Sequence, residues 1–190
     1  QFKRALEEID KLFVIYKTRK ADLSAEQCGS LYEKLRLEWT YHSNAIEGNT
    51  LTRQETALVV EKGITVEGKS IVEHLEAINH AKAWEYIMTL QNNNIKDITE
   101  HTIREIHSII LQRIDMINAG RYRTVPVRIS GSTVVLPNPL KVPSLMKEFI
   151  TNLQISKDNI ADVAIRAHFD FVSIQPVEFM KFALIVALAT

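Results

Sequence analysis

The chain has 190 residues, 46% of them apolar and 24% charged, which suits one globular domain with an ordinary core and no need of a metal or disulfide to fold. Lys plus Arg and Asp plus Glu balance at 23 each, so no overall field draws the domain to nucleic acid or an anionic membrane, and only a local basic patch could. The single cysteine, Cys28, excludes an internal disulfide and makes a reducing, cytoplasmic compartment the default, with no N-terminal signal peptide in view.

In chain order, Phe2, Leu6, Ile9, Phe13 and Tyr16 recur at three- and four-residue spacing, which predicts an amphipathic helix over residues 2 to 19. Ser24 and Gln27 form a capping-box pattern that opens a second helix, carrying Leu31, Leu35 and Trp39 toward Ile46. Gly48 and Asn49 suit its stop, since both tolerate a left-handed backbone. Thr52 with Glu55 caps a short helix ending near Gly63. Residues 70 to 90 read as a long helix with Ile71, Leu75, Ile78, Ala81 and Ile87 near one stripe, and the polar run Gln91 to Asn94 as a loop. From Thr99 to Ile117, Ile103, Ile106, Ile110 and Ile114 repeat the helical period.

The pattern then breaks. Tyr122 to Leu136 alternates and is rich in Val, Thr and Ile around Ser130-Gly131-Ser132, which predicts a β-hairpin. Pro137, Pro139 and Pro143 exclude a helix before Ser144, after which 145 to 153 and 160 to 174 read as helices. The apolar stretch Phe182 to Ala189 is far short of the roughly 20 residues that span a bilayer, and reads as a buried helix cut by the chain's end. The chain starts and stops inside helical patterns, so the parent protein is expected to extend beyond at least one end.

Two features carry a functional signal. In Ser43-Asn44-Ala45-Ile46-Glu47-Gly48-Asn49 a hydroxyl and a glutamate share one face at a helix end. Spacing alone favours a solvated polar pair, yet an acid at a helix C-terminus opposes the macrodipole, which hints at binding. The second is the hairpin from Gly120-Arg121-Tyr122-Arg123 to Leu136-Pro137-Asn138-Pro139, whose edges could take up an extended peptide as an added strand. The plain alternative is a hairpin that only covers the core.

Together these residues resemble the Fic family, whose members mostly transfer AMP from ATP to a Ser, Thr or Tyr hydroxyl of a target protein. Ser43 to Asn49 matches the family's inhibitory motif, Arg121 to Pro139 looks like its flap, and Ala167-His168-Phe169-Asp170-Phe171-Val172-Ser173-Ile174 leads toward a proline as in the family. The resemblance implies a mainly α fold, a Fic-type helical bundle with one β-hairpin flap. It implies one domain over 1–190, with an inhibitory helical segment over about 1–50 and a Fic core over 51–190, truncated at its C-terminus. It also implies that Glu47, with Ser43, Gly48 and Asn49, restrains the ATP γ-phosphate. Gly131, Ser132, Thr133 and Val134 would line the nucleotide pocket, with Val127 and Ile129 packed beneath. ATP and Mg²⁺ are the implied cofactors. A protein target met through the flap is the implied partner, with self-modification and a homodimer as further options, and with neither nucleic acid nor membrane.

The chain departs from the family at its signature, His-Pro-Phe-x-Asp/Glu-Gly-Asn-Gly-Arg-x-x-Arg. It reads Ile174-Gln175-Pro176-Val177-Glu178-Phe179-Met180, with Gln175 at the base position and no Gly-Asn-Gly-Arg anywhere. Matching Met180 to the methionine that often follows the second arginine leaves a stretch missing after Pro176. Either the loop is deleted, leaving a catalytically dead Fic-fold module that binds nucleotide or protein, or the protein carries a loop that this sequence omits. The second is preferred, because deletion would join two helices with almost no turn. Glutamine does not titrate near neutral pH, so its presence should slow transfer by roughly the 10²–10⁴-fold of general base catalysis. His74 with His80 and His101 with His107 lack the four-residue step of helical metal ligation, so no metal site is assigned to them. Asp170 and Glu178 form a carboxylate pair of undefined geometry, and Trp39 and Trp84 read as core.

Overall fold

Capping boxes fix where four of the helices begin, one of them Thr99 with Thr102. Ser24, Thr52 and Ser70 each accept a hydrogen bond from the backbone N–H three residues on, while the Gln27, Glu55 and Glu73 side chains return to the cap's own N–H. In the computed structural model, which describes residues 2–90, 98–128, 133–156 and 160–177, seven helices result. They are α1 (Phe2–Ala21), α2 (Ala25–Ile46), α3 (Arg53–Lys62), α4 (Ile71–Thr89), α5 (Glu100–Ile110), α6 (Val142–Ile155) and α7 (Ile160–Ile174). Gly63 closes α3 in the left-handed conformation at φ 65°, the stop the sequence predicts.

The core lies where α4, α5, α6 and α7 meet. Ile103, Ile106 and Ile110 of α5 are buried against Ile87 of α4, Met146 and Phe149 of α6, and Phe171 of α7. Each such side chain contributes about 1.5–3 kcal/mol relative to exposure. A smaller cluster of Leu51, Val59 and Ala77 fastens α3 to α4. Helix α4 is central, with α2, α3 and α5 packed on it. It buries His74, Ala77, His80, Ala83, Trp84 and Ile87 over most of its circumference and leaves a narrow stripe with Lys82, Glu85 and Thr89 exposed.

Several expectations need correction. The predicted stripe of α2 is not its buried one: Leu35 and Trp39 are exposed, and the helix buries Leu37, Thr40, Ser43 and Asn44 instead. Of these polar groups Thr40 Oγ1 meets His80 Nδ1 at 3.1 Å, whereas the buried Ser43 hydroxyl has no hydrogen-bond partner among the described residues. Trp39 is therefore a surface ring stacked on buried Trp84, at 6.2 Å between centroids. On α1, which packs against α7, Ile9 and Tyr16 of the expected apolar face remain exposed. Helix α5 stops at Ile110 rather than Ile117: Arg113 takes the left-handed φ of 63°, and Asn79 Nδ2 of α4 donates to the Ile110 and Gln112 carbonyls at 3.0 and 2.7 Å. After this the Asp115 carboxylate accepts from the Ile117 and Asn118 amides in a turn. Pro143 does not delay α6: it sits in the first turn, where a missing N–H costs nothing, after a short 3-10 turn over Pro139–Lys141.

The predicted hairpin is also not formed. Among the described residues there is no strand, and 121–128 and 133–138 run without regular structure. Pro126, Pro137 and Pro139 supply no amide, and the Arg123 amide pairs with Pro176 rather than across the segment. The expected turn, with Ile129, Gly131 and Ser132, lies outside the described residues, as do Gln91 to Asn94, Glu178, Met180 and the Phe182 to Ala189 stretch.

Candidate active site

Two helix ends carry the residues singled out by sequence. At the first, α2 unwinds over Glu47 and Gly48, and Gly48 takes φ 94°, a backbone that favours glycine. The Asn49 amide donates back to the Asn44 carbonyl at 3.0 Å. Asn49 Nδ2 reaches the Glu73 carbonyl at 3.1 Å and Glu76 Oε2 at 2.8 Å, while its Oδ1 accepts from the Leu51 amide at 3.0 Å. Thr50 donates from its amide and its hydroxyl to Glu73 Oε1 at 2.9 and 2.6 Å, and Lys69 Nζ donates to the Thr50 carbonyl at 2.6 Å. The Thr50 hydroxyl, then the amides of Ser70 and Thr50, hold the Glu73 carboxyl down from 4.5 to about 2. The end of α2 is thus clasped to the start of α4, with Ser43 buried and the Glu47 side chain exposed.

At the second end, α7 closes at Ile174 and Gln175 takes φ 44°. A left-handed backbone at a residue other than glycine costs of order 1–3 kcal/mol and persists only where its surroundings enforce it. Arg123 supplies that enforcement. Its amide donates to the Pro176 carbonyl at 2.9 Å and its Nε to the Gln175 carbonyl at 2.7 Å. Its terminal nitrogens donate to the carbonyls of Val125 at 3.1 Å, Pro137 at 2.6 Å and Ile174 at 3.4 Å. The residue is only 4% exposed. A guanidinium at the last carbonyls of α7 also meets the negative end of that helix's dipole.

The approach to Arg123 is fixed in turn. Gly120, at φ 66°, presses so closely on α5 that a Cβ would come within 3.0 Å of the Arg104 carbonyl oxygen. Its amide donates to His107 Nδ1 at 3.1 Å, and its carbonyl accepts from Arg104 Nε at 2.7 Å. Tyr122 donates its hydroxyl to Glu100 at 2.8 Å, and burial, followed by Glu100, raises its phenol pKa. Beyond the stems, Thr133 and Val134 are exposed and Val127 is half-buried.

Arg123 is the residue that sequence reasoning misses. It lies within the noted segment, but no strand forms there and Val125, two residues on, is exposed, so alternation offers no signal for its burial. The histidines have structural partners: His74 accepts from the Val66 amide at 2.8 Å and faces the Ser70 carbonyl at 2.7 Å, His80 meets Thr40, and His107 holds Gly120. Asp170 is exposed on α7. Among the described residues no group of three His, Cys, Asp or Glu side chains could hold a metal, and the signature's acid is absent from the chain.

Residues 97–178 match the family model described as the Fic/DOC family. A protein adenylyltransferase Fic of Nematostella vectensis is 36% identical over 140 residues, 72% of this chain and 32% of that protein. Its counterpart from Aedes aegypti is 31% identical over 179 residues, 93% of this chain and 34% of that protein. The chain thus spans about a third of the length of these curated relatives. Among solved structures, a Fic domain containing signaling protein from Bacteroides thetaiotaomicron superposes with a TM-score of 0.82 at 26% identity, covering 95% of this chain and 70% of that one. Residues 134–508 of Fic-1 from C. elegans give 0.71 at 28% identity, covering 80% and 46%. With the family match across α5 to α7 and relatives aligned from the first helices onward, the chain belongs to the Fic/DOC family.

Proposed function

We propose that this chain is the core of an autoinhibited protein AMP transferase, which moves AMP from ATP to a Ser, Thr or Tyr hydroxyl. The observation that carries the reading is the joining of the 121–138 stems to Gln175 and Pro176 through Arg123, in a chain whose relatives are named protein adenylyltransferases. A target peptide pairing with the stems would lie beside the residue at the base position. The left-handed backbone at 175 adds support, since histidine populates that region more readily than most side chains.

In this reading 1–50 is the inhibitory segment and 51–190 the Fic core. Glu47, held by the Asn49 and Thr50 clasp and flanked by Ser43 and Gly48, restrains the phosphate tail of ATP, while Gly131, Ser132, Thr133 and Val134 border the nucleotide. The residues present do not by themselves fit Mg²⁺ or the phosphates, so the metal would enter only with a loop that brings the signature's acid, glycines and arginines. The partner is a protein hydroxyl, in trans or on the chain itself, and association into a homodimer is compatible with the reading. Half-exposed Cys28 as the sole thiol suits the cytoplasm.

Two roles separate at Gln175. Phosphate is held by amides and arginines of the loop, whereas proton removal belongs to position 175. Gln175→His in a Glu47→Gly background of the complete protein should raise labelled AMP incorporation by roughly 10²–10⁴-fold with little change in ATP affinity. Equal rates would place the base elsewhere. A second reading, a Fic-fold module that binds but does not transfer, is favoured by Gln175 together with the absent Gly-Asn-Gly-Arg. It predicts no label in either variant.

A further inference from the structure

Arg123, inside the 121–138 segment, joins it to the end of α7, 52 residues further along the chain at Gln175. Its bonds to Val125 and Pro137 fasten both stems of the 121–138 segment, and its bonds to Ile174, Gln175 and Pro176 fasten the end of α7. The two sides are remote in sequence, and Gln175 is strained in a way that needs outside enforcement. We propose that Arg123 is a positioning residue that locks the peptide-facing stems and the base position into one unit, so that the acceptor hydroxyl and residue 175 keep a fixed separation. The proposal rests on the transferase reading for its catalytic consequence, but the lock itself is a property of the fold.

The chemistry requires arginine. One planar fork serves Val125, Pro137 and Gln175 at once, which a lysine ammonium on a flexible stem cannot do. A simple space-filling role would leave the two segments free to loosen independently. A lock makes them loosen together.

The test compares the parent with Arg123→Lys, which keeps the charge, and Arg123→Ala. The first readout is amide hydrogen exchange. The amides of Arg123 and Gln175 should lose protection together in Arg123→Lys, while those in the middle of α4 and α5 keep theirs. Unchanged exchange at both positions, loss at one alone, or loss throughout the molecule would overturn the lock. The lysine variant carries the comparison if Arg123→Ala does not fold. The second readout is AMP incorporation by the complete protein in a Glu47→Gly, Gln175→His background, where position 175 carries a base to displace. Displacing residue 175 should cut kcat by roughly 10²-fold while ATP affinity holds, because the loss is one of alignment. Unchanged kcat, or affinity falling as far as kcat, would overturn the positioning role. If no variant is labelled but exchange shifts as stated, the lock stands and the transferase reading fails.

Discussion

The ends of α2 and α7 solve the same problem by opposite means. Each helix turns out through a left-handed residue, Gly48 at φ 94° and Gln175 at φ 44°. At α2 the residue is the one that adopts this backbone without strain, and the following residues are held by half-buried carboxylates, Glu73 and Glu76, with Lys69 beside them. At α7 the residue is strained and a buried guanidinium holds it. The difference teaches which end is adjustable. A clasp of half-buried side chains outside the two apolar clusters can open without disturbing the core, whereas the α7 end is built into it.

The largest expected effect comes from breaking the buried end. Arg123→Ala leaves the carbonyls of Val125, Pro137 and Gln175 without their shared donor and should cost about 3 kcal/mol in chemical denaturation, since bonds to a charged group are worth roughly 1.5–3 kcal/mol each. A loss under about 0.5 kcal/mol, the size of an ordinary surface substitution, would contradict a buried lock.

The two left-handed residues give a paired test of smaller size. Gly48→Ala meets no neighbouring atom, so its cost of about 1 kcal/mol should come from the backbone alone. Gln175→Gly should act in the opposite direction and raise the midpoint, by about 1 kcal/mol or less once the greater freedom of the unfolded glycine is subtracted. Shifts of the same sign would show that the two ends are not strained differently.

Much of the fold was legible in the sequence, and the reason is local. The capping pairs at Ser24 and Thr52, the Gly63 stop and the isoleucine period of α5 act within a few residues, and all appear where the pattern predicts. The buried face of α2 was not legible, because Thr40, Ser43 and Asn44 are polar and what covers them, His80 in the case of Thr40, lies elsewhere in the chain. The hairpin misled for a related reason. Alternation in 122–136 suggested a ladder, but Arg123 spends its amide and its guanidinium on the end of α7 instead. The motif residues Ser43 to Asn49 were legible as a motif, whereas the clasp from Glu73 and Glu76 that holds them was not.

The smallest effect concerns that clasp and pH. Glu73 is held at about 2 in the fold against 4.5 ordinarily, so its contribution to stability is present above the ordinary value and is lost as pH falls through about 2. Thermal melts of the parent and Glu73→Gln should differ at neutral pH and converge as pH drops toward 2. A difference that stays constant over that range would remove the carboxylate's charge from the account.

In the proposed function, Glu47 at the end of α2 restrains a nucleotide site. Calorimetry with ATP and Mg²⁺, on the complete protein and its Glu47→Gly variant, tests it most directly. Glu47→Gly should bind ATP more tightly than the parent. Equal affinity in the two proteins, or no heat of binding in either, would contradict it.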